Sequence, residues 1–236
     1  MLNTIDLTKS VAEKTLCNSI DISVKLEKIT GLFGPNGAGK STFFHIISGL
    51  IKPSSGEIIL NNASITRKPM YQRAQLGISF LPQDSSIFSE LTVYENIFAT
   101  VELHHPFDVC HKHSMTLIEK FQLEAVAQTK SCYVSGGERR RTEIARACAN
   151  NPSYLLLDEP FAGVDPLSIE EIKKCLRMLA DDGIGIFITD HNVKATLDFC
   201  DYAYVLLHGR ILAQGDPESI SSNADVLKHY LGYNSL

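Results

Sequence analysis

The sequence lacks an excess of positive charge, a long apolar run and paired cysteines, and each absence excludes a class of protein. Its 236 residues carry a formal net charge of −5, whereas a general nucleic-acid binder needs a clustered positive surface to bind the phosphate backbone. Nowhere do about 18 or more apolar residues follow one another, which is the length that a membrane-spanning helix requires. We therefore expect a globular chain that binds no nucleic acid and does not itself cross a membrane.

The six cysteines are scattered along the chain and include no C-x-x-C pair. A chain of this length buries enough apolar surface to fold without disulfides, so scattered cysteines favour a reducing, cytosolic setting. The first residues, MLNTIDLTKS, also lack the basic segment followed by an apolar segment that marks a secretory leader. We expect a cytoplasmic protein that reaches a membrane only through its partners.

Apolar runs of strand length alternate with helical patterns, and this alternation predicts an α/β fold. The segments near the start, and the pair AYVLL and RILAQ near the end, are typical of antiparallel ribbons and suggest a β-rich flank. The stretch from Asp84 to Asn150 is mostly helical, with Thr92 and Glu95 spaced as a capping box. We predict a single domain over residues 1–236 with a helical insertion at approximately 84–150. Continuously apolar runs, typical of parallel strands covered on both faces, are ITGLF (29–33), GISFL (77–81), YLLLD (154–158) and GIFIT (185–189).

The stretch GPNGAGKST matches the phosphate-loop pattern G-x-x-x-x-G-K-[ST] and directly follows the apolar run ITGLF. Its glycines allow the backbone to turn tightly around phosphate oxygens, and the N–H groups at the start of the next helix point at the anion. Lys40 would reach the β and γ phosphates, and Ser41 would bind Mg²⁺. The loop alone does not separate a kinase, a GTPase and a transport ATPase. The predicted phosphate-binding residues are Gly34, Pro35, Asn36, Gly37, Ala38, Gly39, Lys40, Ser41 and Thr42.

Polar side chains follow three of the apolar runs, where the carboxyl ends of parallel strands meet. Asp158 would hold Mg²⁺ through its water shell, together with Ser41 and Gln83, and Glu159 would polarise the attacking water. His191 would hydrogen-bond the γ phosphate and orient Glu159 and the water without acting as the base. Gln83 can accept from a metal-bound water and donate to a phosphate. These residues predict ATP as the nucleotide and Mg²⁺ as the metal.

The stretch VSGGE, from Val134 to Glu138, predicts a second helix start that can bind an anion. Ser135 and Glu138 have the spacing of a capping box, which is also the ordinary interpretation of this stretch. A capping box does not require Gly136 and Gly137, and two positions without side chains leave N–H donors open to an anion. Two copies packed head to tail would place this second site over the ATP of the partner copy.

The motifs GPNGAGKST, Gln83, VSGGE, YLLLDE, FAGVD and His191 together resemble the nucleotide-binding domain of ABC-type ATPases, in the order that the family has them. The resemblance implies a RecA-like P-loop NTPase core with an antiparallel β subdomain and an inserted helical subdomain. It also implies a homodimer that hydrolyses two ATP molecules. In that homodimer, the residues that serve the partner's nucleotide would be Ser135, Gly136, Gly137, Glu138 and Asp165.

Five longer stretches look like the ATPases of bacterial lipopolysaccharide export transporters: LPQDSSIF, LTVYENI, SGGERRRTEIARA, DEPFAGVDP and TDHNV. This narrower resemblance implies two integral membrane subunits as partners and a peripheral position on the cytoplasmic face of the inner membrane. The ATPases of branched-chain amino-acid uptake are similar but match these stretches less closely. An alternative of another class is a soluble ABC ATPase that acts in assembly, of the iron-sulfur assembly type.

The stretch SSIFSELTVYENIF places several apolar side chains shortly after Gln83, and some of them can share one helical face. A groove lined by Phe88, Leu91 and Tyr94, with Ile97 and Phe98 beside it, could accept a short helix from a membrane subunit. Most such stripes belong to the core instead, so both interpretations stay open.

Three features depart from these patterns or resemble other sites. The adenine-stacking aromatic that the family usually carries corresponds to about Val11, so we predict weaker adenine discrimination. The histidine-rich stretch HHPFDVCHKH (104–113) has no second ligand cluster to complete a structural zinc site, and we expect it to be a solvated surface. We also expect residues 139–141, three arginines, to form a solvated helix face.

Overall fold

The computed structural model describes residues 1–191 and 196–230, in which helices cover two β-sheets. The strands are β1 (Leu2–Val11), β2 (Lys14–Ile20), β3 (Ser23–Val24), β4 (Ile29–Phe33), β5 (Ser55–Leu60), β6 (Ala63–Ser64), β7 (Ile78–Leu81), β8 (Tyr154–Leu157), β9 (Gly185–Asp190), β10 (Tyr202–Leu207) and β11 (Arg210–Gly215). The α-helices of the described residues are α1 (Lys40–Ser48), α2 (Met70–Gln75), α3 (Val93–Glu102), α4 (Phe107–Lys120), α5 (Gly136–Ala147), α6 (Pro166–Asp181), α7 (Pro217–Ser222) and α8 (Ala224–His229).

The larger sheet has six strands in the order β11-β10-β4-β9-β8-β7. All neighbouring pairs from β10 to β7 are parallel, and only β11 is antiparallel to its neighbour. Strands β4, β8 and β9 are buried along their whole length, because both faces of this sheet are covered. The prediction that the four continuously apolar runs form parallel strands is confirmed.

The smaller sheet is antiparallel, with the order β2-β1-β5-β6 and with β3 paired to β1. It confirms the β-rich flank that was predicted from the first segments of the chain. The assignment of AYVLL and RILAQ to this flank is wrong, because β10 pairs in parallel with β4 and so belongs to the larger sheet. The hairpin of β10 and β11 is antiparallel as predicted, but it extends the parallel core.

Within residues 1–191 and 196–230, two apolar clusters form the core, one on each face of the larger sheet. Alternate residues of a strand point to opposite faces, so Leu155 and Leu157 join the cluster beneath α3 to α6 while Leu156 joins the other. On the second face, Phe44 of α1 packs on Phe187 of β9 with ring centroids 4.7 Å apart. Helix α1 is thereby held between the two sheets, directly behind the phosphate-loop sequence.

Helices α3, α4 and α5 lie between β7 and β8 in the chain. The predicted capping box of α3 is confirmed: the N–H of Glu95 donates to Thr92 Oγ1, and the N–H of Thr92 donates to the Glu95 carboxylate. Buried side chains of all three helices belong to the same apolar cluster as β8 and β9. Among the described residues, no helix combines the length and the apolar character that crossing a membrane requires.

A buried arginine caps the carboxyl end of helix α1. Arg73 is 1% exposed, and its guanidinium donates to the carbonyl oxygens of Ile46 and Ile47 at 2.7 and 2.6 Å. It also binds the carbonyl oxygens of Thr66 and Lys68 at 3.0 and 2.8 Å. A cation at this position complements the partial negative charge of the helix end. Burial lowers the pKa of Arg73 to about 10, which leaves it charged at neutral pH.

Replacing this arginine tests its contribution to stability. Arg73→Met should lower the free energy of unfolding by about 3 kcal/mol, because it leaves several buried carbonyl groups without donors. The measurement is denaturant unfolding followed by circular dichroism. The matched control is Arg67→Met at a nearby exposed arginine, which should change stability by less than about 0.5 kcal/mol. Equal effects of the two substitutions would contradict the capping role.

Candidate functional site

The phosphate-loop sequence occupies the turn between β4 and α1, and two of its glycines are required by close contacts. A Cβ at Gly34 would lie 2.2 Å from the carbonyl oxygen of Leu206, which no side chain tolerates. Gly39 has a φ of +111°, and its Cβ would lie 2.4 Å from the carbonyl oxygen of Leu16. The loop therefore lies tightly against the ends of β10 and β2, which fixes the start of α1.

Lys40, the first residue of α1, is 5% exposed and points back across the loop. Its Nζ donates to the carbonyl oxygens of Gly34 and Pro35 at 2.7 and 3.2 Å. Burial lowers the pKa of this ammonium group, and the negative charges of Glu159 and Asp158 oppose that shift. The positive charge is thus held at the loop, beside two carboxylates.

Two acidic residues follow β8, and Thr189 of β9 binds the carboxylate of the first and the backbone N–H of the second. Asp158 is 2% exposed, and its Oδ1 accepts a hydrogen bond of 2.5 Å from Thr189 Oγ1. The same hydroxyl oxygen accepts from the N–H of Glu159 at 3.0 Å. Glu159 has a φ of +45°, a left-handed conformation that costs about 1 kcal/mol or more in a non-glycine residue. Thr189 therefore stabilises a strained turn. No motif in the sequence marks this residue, because it follows directly on the apolar residues of β9.

The carboxylate of Glu159 contacts two other predicted residues. Gln83 Nε2 donates to Glu159 Oε2 at 3.1 Å, and His191 Nδ1 lies 3.4 Å from the same oxygen. Gln83, Glu159 and His191 come after β7, β8 and β9, which are neighbours in the sheet. The convergence at the carboxyl ends of parallel strands follows from this strand order.

One cavity of about 480 Å³ collects most of the predicted phosphate, metal and water ligands. Its size is that of an ordinary small-molecule site. Three other predicted residues are buried and do not line the cavity: Gly34 and Ala38 within the phosphate loop, and Asp158 after β8. The lining consists of Lys14, Leu16, Asn36, Gly37, Gly39, Lys40, Ser41, Thr42, Gln83, Glu159 and His191.

The predicted capping box of VSGGE is confirmed: the N–H of Glu138 donates to Ser135 Oγ at 3.2 Å, and the N–H of Ser135 donates to the Glu138 carboxylate at 2.8 Å. Gly136 is exposed. Gly137 has a second reason to be glycine, because a Cβ there would lie 2.2 Å from Ser168 Oγ of α6. The close packing of α5 on α6, and not only the approach of an anion, therefore requires one member of the pair.

Asp165 caps α6 next to this helix start. Its Oδ1 accepts from the N–H of Ser168 at 3.0 Å, and hydrogen bonds from Ser168 hold the pKa of Asp165 below its usual range. A Cβ at Gly136 would lie 3.6 Å from the carbonyl oxygen of Gly163, so the two loops are adjacent. Among the described residues that line the cavity around Lys40, none comes from VSGGE or from the loop that ends at Asp165.

The prediction that the three arginines of α5 form a solvated face is wrong for two of them. Arg140 is 6% exposed, and its guanidinium donates to the carbonyl oxygens of Asp158 and Pro160 at 3.2 and 3.0 Å. It also pairs with Glu143 at 2.9 Å. Arg141 is 7% exposed and pairs with Glu171 of α6. The R-x-x-E spacing of Arg140 and Glu143 predicts an ion pair. It does not predict that the pair is buried, because the burial depends on where the turn after β8 lies.

Glu143 extends this network towards Gln83. Its Oε1 accepts from Ser85 Oγ and from the N–H of Ser86, at 2.5 and 3.2 Å. Arg140 Nη1 lies 3.4 Å from the carbonyl oxygen of Pro82, which precedes Gln83. The segment that carries Gln83 is thus bound through hydrogen bonds to α5, the helix that begins within VSGGE.

The apolar stripe after Gln83 divides into exposed and buried members. Phe88 is 54% exposed, with the guanidinium of Arg146 4.8 Å from its ring centroid. Leu91 and Tyr94 are half-buried, whereas Ile97 is wholly buried in the core. Phe88 is therefore the exposed member of the stripe, Leu91 and Tyr94 are partly covered, and Ile97 belongs to the core.

The histidine-rich stretch is only partly the solvated surface that was expected. His105 and His113 are half-buried, and their Nε2 atoms lie 2.8 and 3.1 Å from the carbonyl oxygen of Ala149. These contacts hold α4, and the segment before it, against the turn that follows α5. In the described residues no group of three or more histidine, cysteine or acidic side chains is placed to share a metal ion.

Comparisons with known proteins agree with this geometry. The family model described as "ABC transporter" matches residues 17–162. The lipopolysaccharide export system ATP-binding protein LptB of Haemophilus influenzae is 44% identical, over 98% of this chain and 97% of its own length.

Solved structures share the whole fold. The ADP conformation of an ATP-binding cassette of an ABC transporter has a TM-score of 0.91 and 28% identity, over 99% of each chain. A dimeric cassette in a post-hydrolysis state bound to ADP and phosphate has a TM-score of 0.79 and 25% identity, over 92% of this chain and 99% of its own. The RecA-like α/β architecture inferred from the motifs is thereby confirmed. The chain belongs to the ABC transporter family: it is a subunit that binds ATP and couples the hydrolysis of ATP to transport.

Proposed function

We propose that residues 1–236 act as one ATP-binding domain, with a helical subdomain at approximately 84–150, that drives lipopolysaccharide export from the inner membrane. The observation that carries the hydrolytic part is the convergence of Gln83, Glu159 and His191 beside the phosphate loop. The relative at 44% identity, which matches almost end to end, supports the transport part.

In this proposal the loop of residues 34–42 binds the phosphates of ATP, with backbone N–H groups around the start of α1 as donors, and Lys40 binds the β and γ phosphates. The site fits a magnesium ion by its donor chemistry, because hydroxyl, amide and carboxylate oxygens are the ligands that Mg²⁺ prefers. Ser41, Gln83 and Asp158 would hold the ion, and Thr189 fixes one oxygen of Asp158. The ion would neutralise charge that develops on the phosphate oxygens.

Glu159 is the proposed general base. A water molecule that donates a hydrogen bond to its carboxylate attacks the γ phosphorus, the bond to the bridging oxygen of ADP breaks, and Glu159 takes the proton. His191 hydrogen-bonds the γ phosphate and keeps Glu159 oriented, which its contact of 3.4 Å supports. Gln83 links the same carboxylate to the segment that precedes the groove.

The second proposed anion site belongs to the ATP of a partner copy. Ser135, Gly136, Gly137 and Glu138 begin α5, and Asp165 begins the neighbouring α6. Their grouping at two adjacent helix starts, outside the lining of the cavity, supports a head-to-tail homodimer with two ATP molecules between the copies. The solved dimeric cassette provides a precedent.

Glu159→Gln tests the dimer and the base together. The variant should bind ATP, hydrolyse it at least about 100-fold more slowly because the base is lost, and accumulate as a dimer. Light scattering coupled to gel filtration, with and without ATP, measures the dimer. Lys40→Ala in the same background should stay monomeric, because it loses the phosphate contacts. A Glu159→Gln chain that is saturated with ATP yet monomeric would contradict the proposal.

The base of ATP is the least well recognised part of the ligand in this proposal. Val11 pairs across the β1–β2 hairpin with Lys14, which lines the cavity, so Val11 lies at the mouth of the site. Val11 is 55% exposed and offers no ring for adenine to stack on. Aromatic residues are absent from the described lining of the cavity, so we propose weak discrimination between ATP and GTP.

Val11→Tyr should supply the missing stacking surface. We expect ATP affinity to rise about 2-fold to 13-fold, since one aromatic stacking pair contributes about 0.5–1.5 kcal/mol, and the ATP/GTP affinity ratio to change. Equilibrium binding of fluorescent nucleotide analogues measures both. Val11→Leu, which adds apolar area without a ring, is the control. An affinity and a ratio that both stay at the wild-type values would remove the stacking argument.

Phe88, Leu91 and Tyr94 are the proposed contact for integral membrane subunits. Phe88 is exposed and follows Gln83 closely in the chain, so a helix seated there would sense changes around Glu159. This contact would place the homodimer on the cytoplasmic face of the inner membrane, as the family resemblance implies.

Phe88→Ala should reduce the amount of integral membrane protein that co-purifies in detergent, because one exposed apolar anchor is lost. The ATPase rate of the isolated chain should stay within about 2-fold, since Phe88 is outside the cavity. Tyr202→Ala removes an aromatic that is 37% exposed on β10 and should leave co-purification unchanged. If the wild-type chain brings down no integral membrane protein at all, the assembly-type alternative is favoured.

A further inference from the structure

We propose that Tyr230 is a positioning residue for ATP hydrolysis. Its side chain fixes the position of His191 relative to the phosphate loop. Tyr230 follows α8, near the end of the described chain, and neither its neighbours in sequence nor any motif points to this role. The inference rests on the role proposed above for His191. It adds the segment after α8 to the segments that position the catalytic residues.

The phenol oxygen of Tyr230 connects two backbone groups of the site. The N–H of Gly34 donates to it at 3.1 Å, and its own O–H donates to the carbonyl oxygen of His191 at 3.1 Å. A phenol has one hydrogen to donate and accepts readily, so both contacts are satisfied at once. Gly34 is the first residue of the phosphate loop and His191 directly follows β9, so one hydroxyl group joins the turns after two neighbouring strands.

The ring of Tyr230 is anchored, so the hydroxyl group has a defined position. Tyr230 is half-buried and packs against the larger core cluster, and Val226, one turn earlier in α8, is fully buried in that cluster. The backbone N–H of Tyr230 donates to the carbonyl oxygen of Val226 at 3.0 Å. Asn223 caps the start of α8 through its side-chain oxygen.

The phenol stays neutral over the whole working range of pH. Burial raises the pKa of Tyr230 to about 12, and the negative charges of Asp190 and Glu159 act in the same direction, whereas the hydrogen bond from Gly34 opposes them. The O–H donor to the His191 carbonyl is therefore always present. Because the contact does not change with pH, it can hold the two backbone segments at a constant distance under all working conditions.

Gly34 connects the hydroxyl group of Tyr230 directly to the phosphate loop and to Lys40. Its N–H is bound by Tyr230, and its carbonyl oxygen accepts from Lys40 Nζ at 2.7 Å. On the other side, His191 lies 3.4 Å from Glu159. Loss of the phenol oxygen would free the His191 backbone relative to the loop, and small displacements of a group at the reacting centre are costly to the rate.

The test is a double-mutant cycle with Tyr230→Phe and His191→Ala in the full-length chain, scored by ATPase kinetics. Tyr230→Phe keeps the ring and removes both hydrogen bonds. We expect kcat to fall about 10-fold because His191 is misplaced, with KM for ATP within about 2-fold. The matched control is Tyr204→Phe, which removes a phenol bound to the N–H of Ser23, remote from the cavity; it should leave kcat unchanged.

If Tyr230 acts through His191, the double variant should be no slower than His191→Ala alone, a coupling that a merely structural loss would not produce. Additive losses of rate would overturn the inference, and so would a Tyr230→Phe chain with the wild-type kcat. If His191→Ala itself hydrolyses ATP at the wild-type rate, the proposed role of His191 fails, and the inference fails with it for that separate reason.

Discussion

The site depends on one backbone turn, at residues 158–160, where the chain leaves β8. In the proposed mechanism Asp158 holds the metal and Glu159 activates the water. Between them the backbone turns sharply, with Glu159 in a left-handed conformation. Two residues from other elements stabilise that turn: Thr189 binds the Asp158 carboxylate and the Glu159 N–H, and Arg140 binds the carbonyl oxygens of the turn. The strain is local, and the compensating hydrogen bonds are buried.

This constraint has a consequence for how two copies communicate. Arg140 belongs to α5, whose amino end carries VSGGE. The helix proposed to bind the partner's ATP is therefore hydrogen-bonded to the turn that carries the proposed general base of its own copy. The Glu143 carboxylate joins the segment after Gln83 to the same helix. Nucleotide bound between two copies would therefore act on both hydrolytic turns and, through Phe88, on the proposed membrane contact.

Sequence reasoning predicted the parallel strands and the polar residues at their carboxyl ends, because continuous apolarity and strand-end position follow from local chemistry. It placed the β10–β11 hairpin in the wrong sheet, because strand order is a tertiary property that no local pattern encodes. For the same reason it treated Arg140 and Arg141 as solvated, and it gave no role to Thr189 or Tyr230. Their partners lie far away in the chain, so only the fold brings them together.

In the proposed homodimer each complete site combines the phosphate loop of one copy with VSGGE of the other. Mixing Lys40→Ala chains with Ser135→Arg chains tests it most directly, since each variant alone is expected to be inactive. A mixed dimer would contain one intact site, so the mixture should recover about a quarter of the wild-type ATPase rate if the copies pair at random. A mixture that dimerises but is no more active than either variant alone would contradict the account.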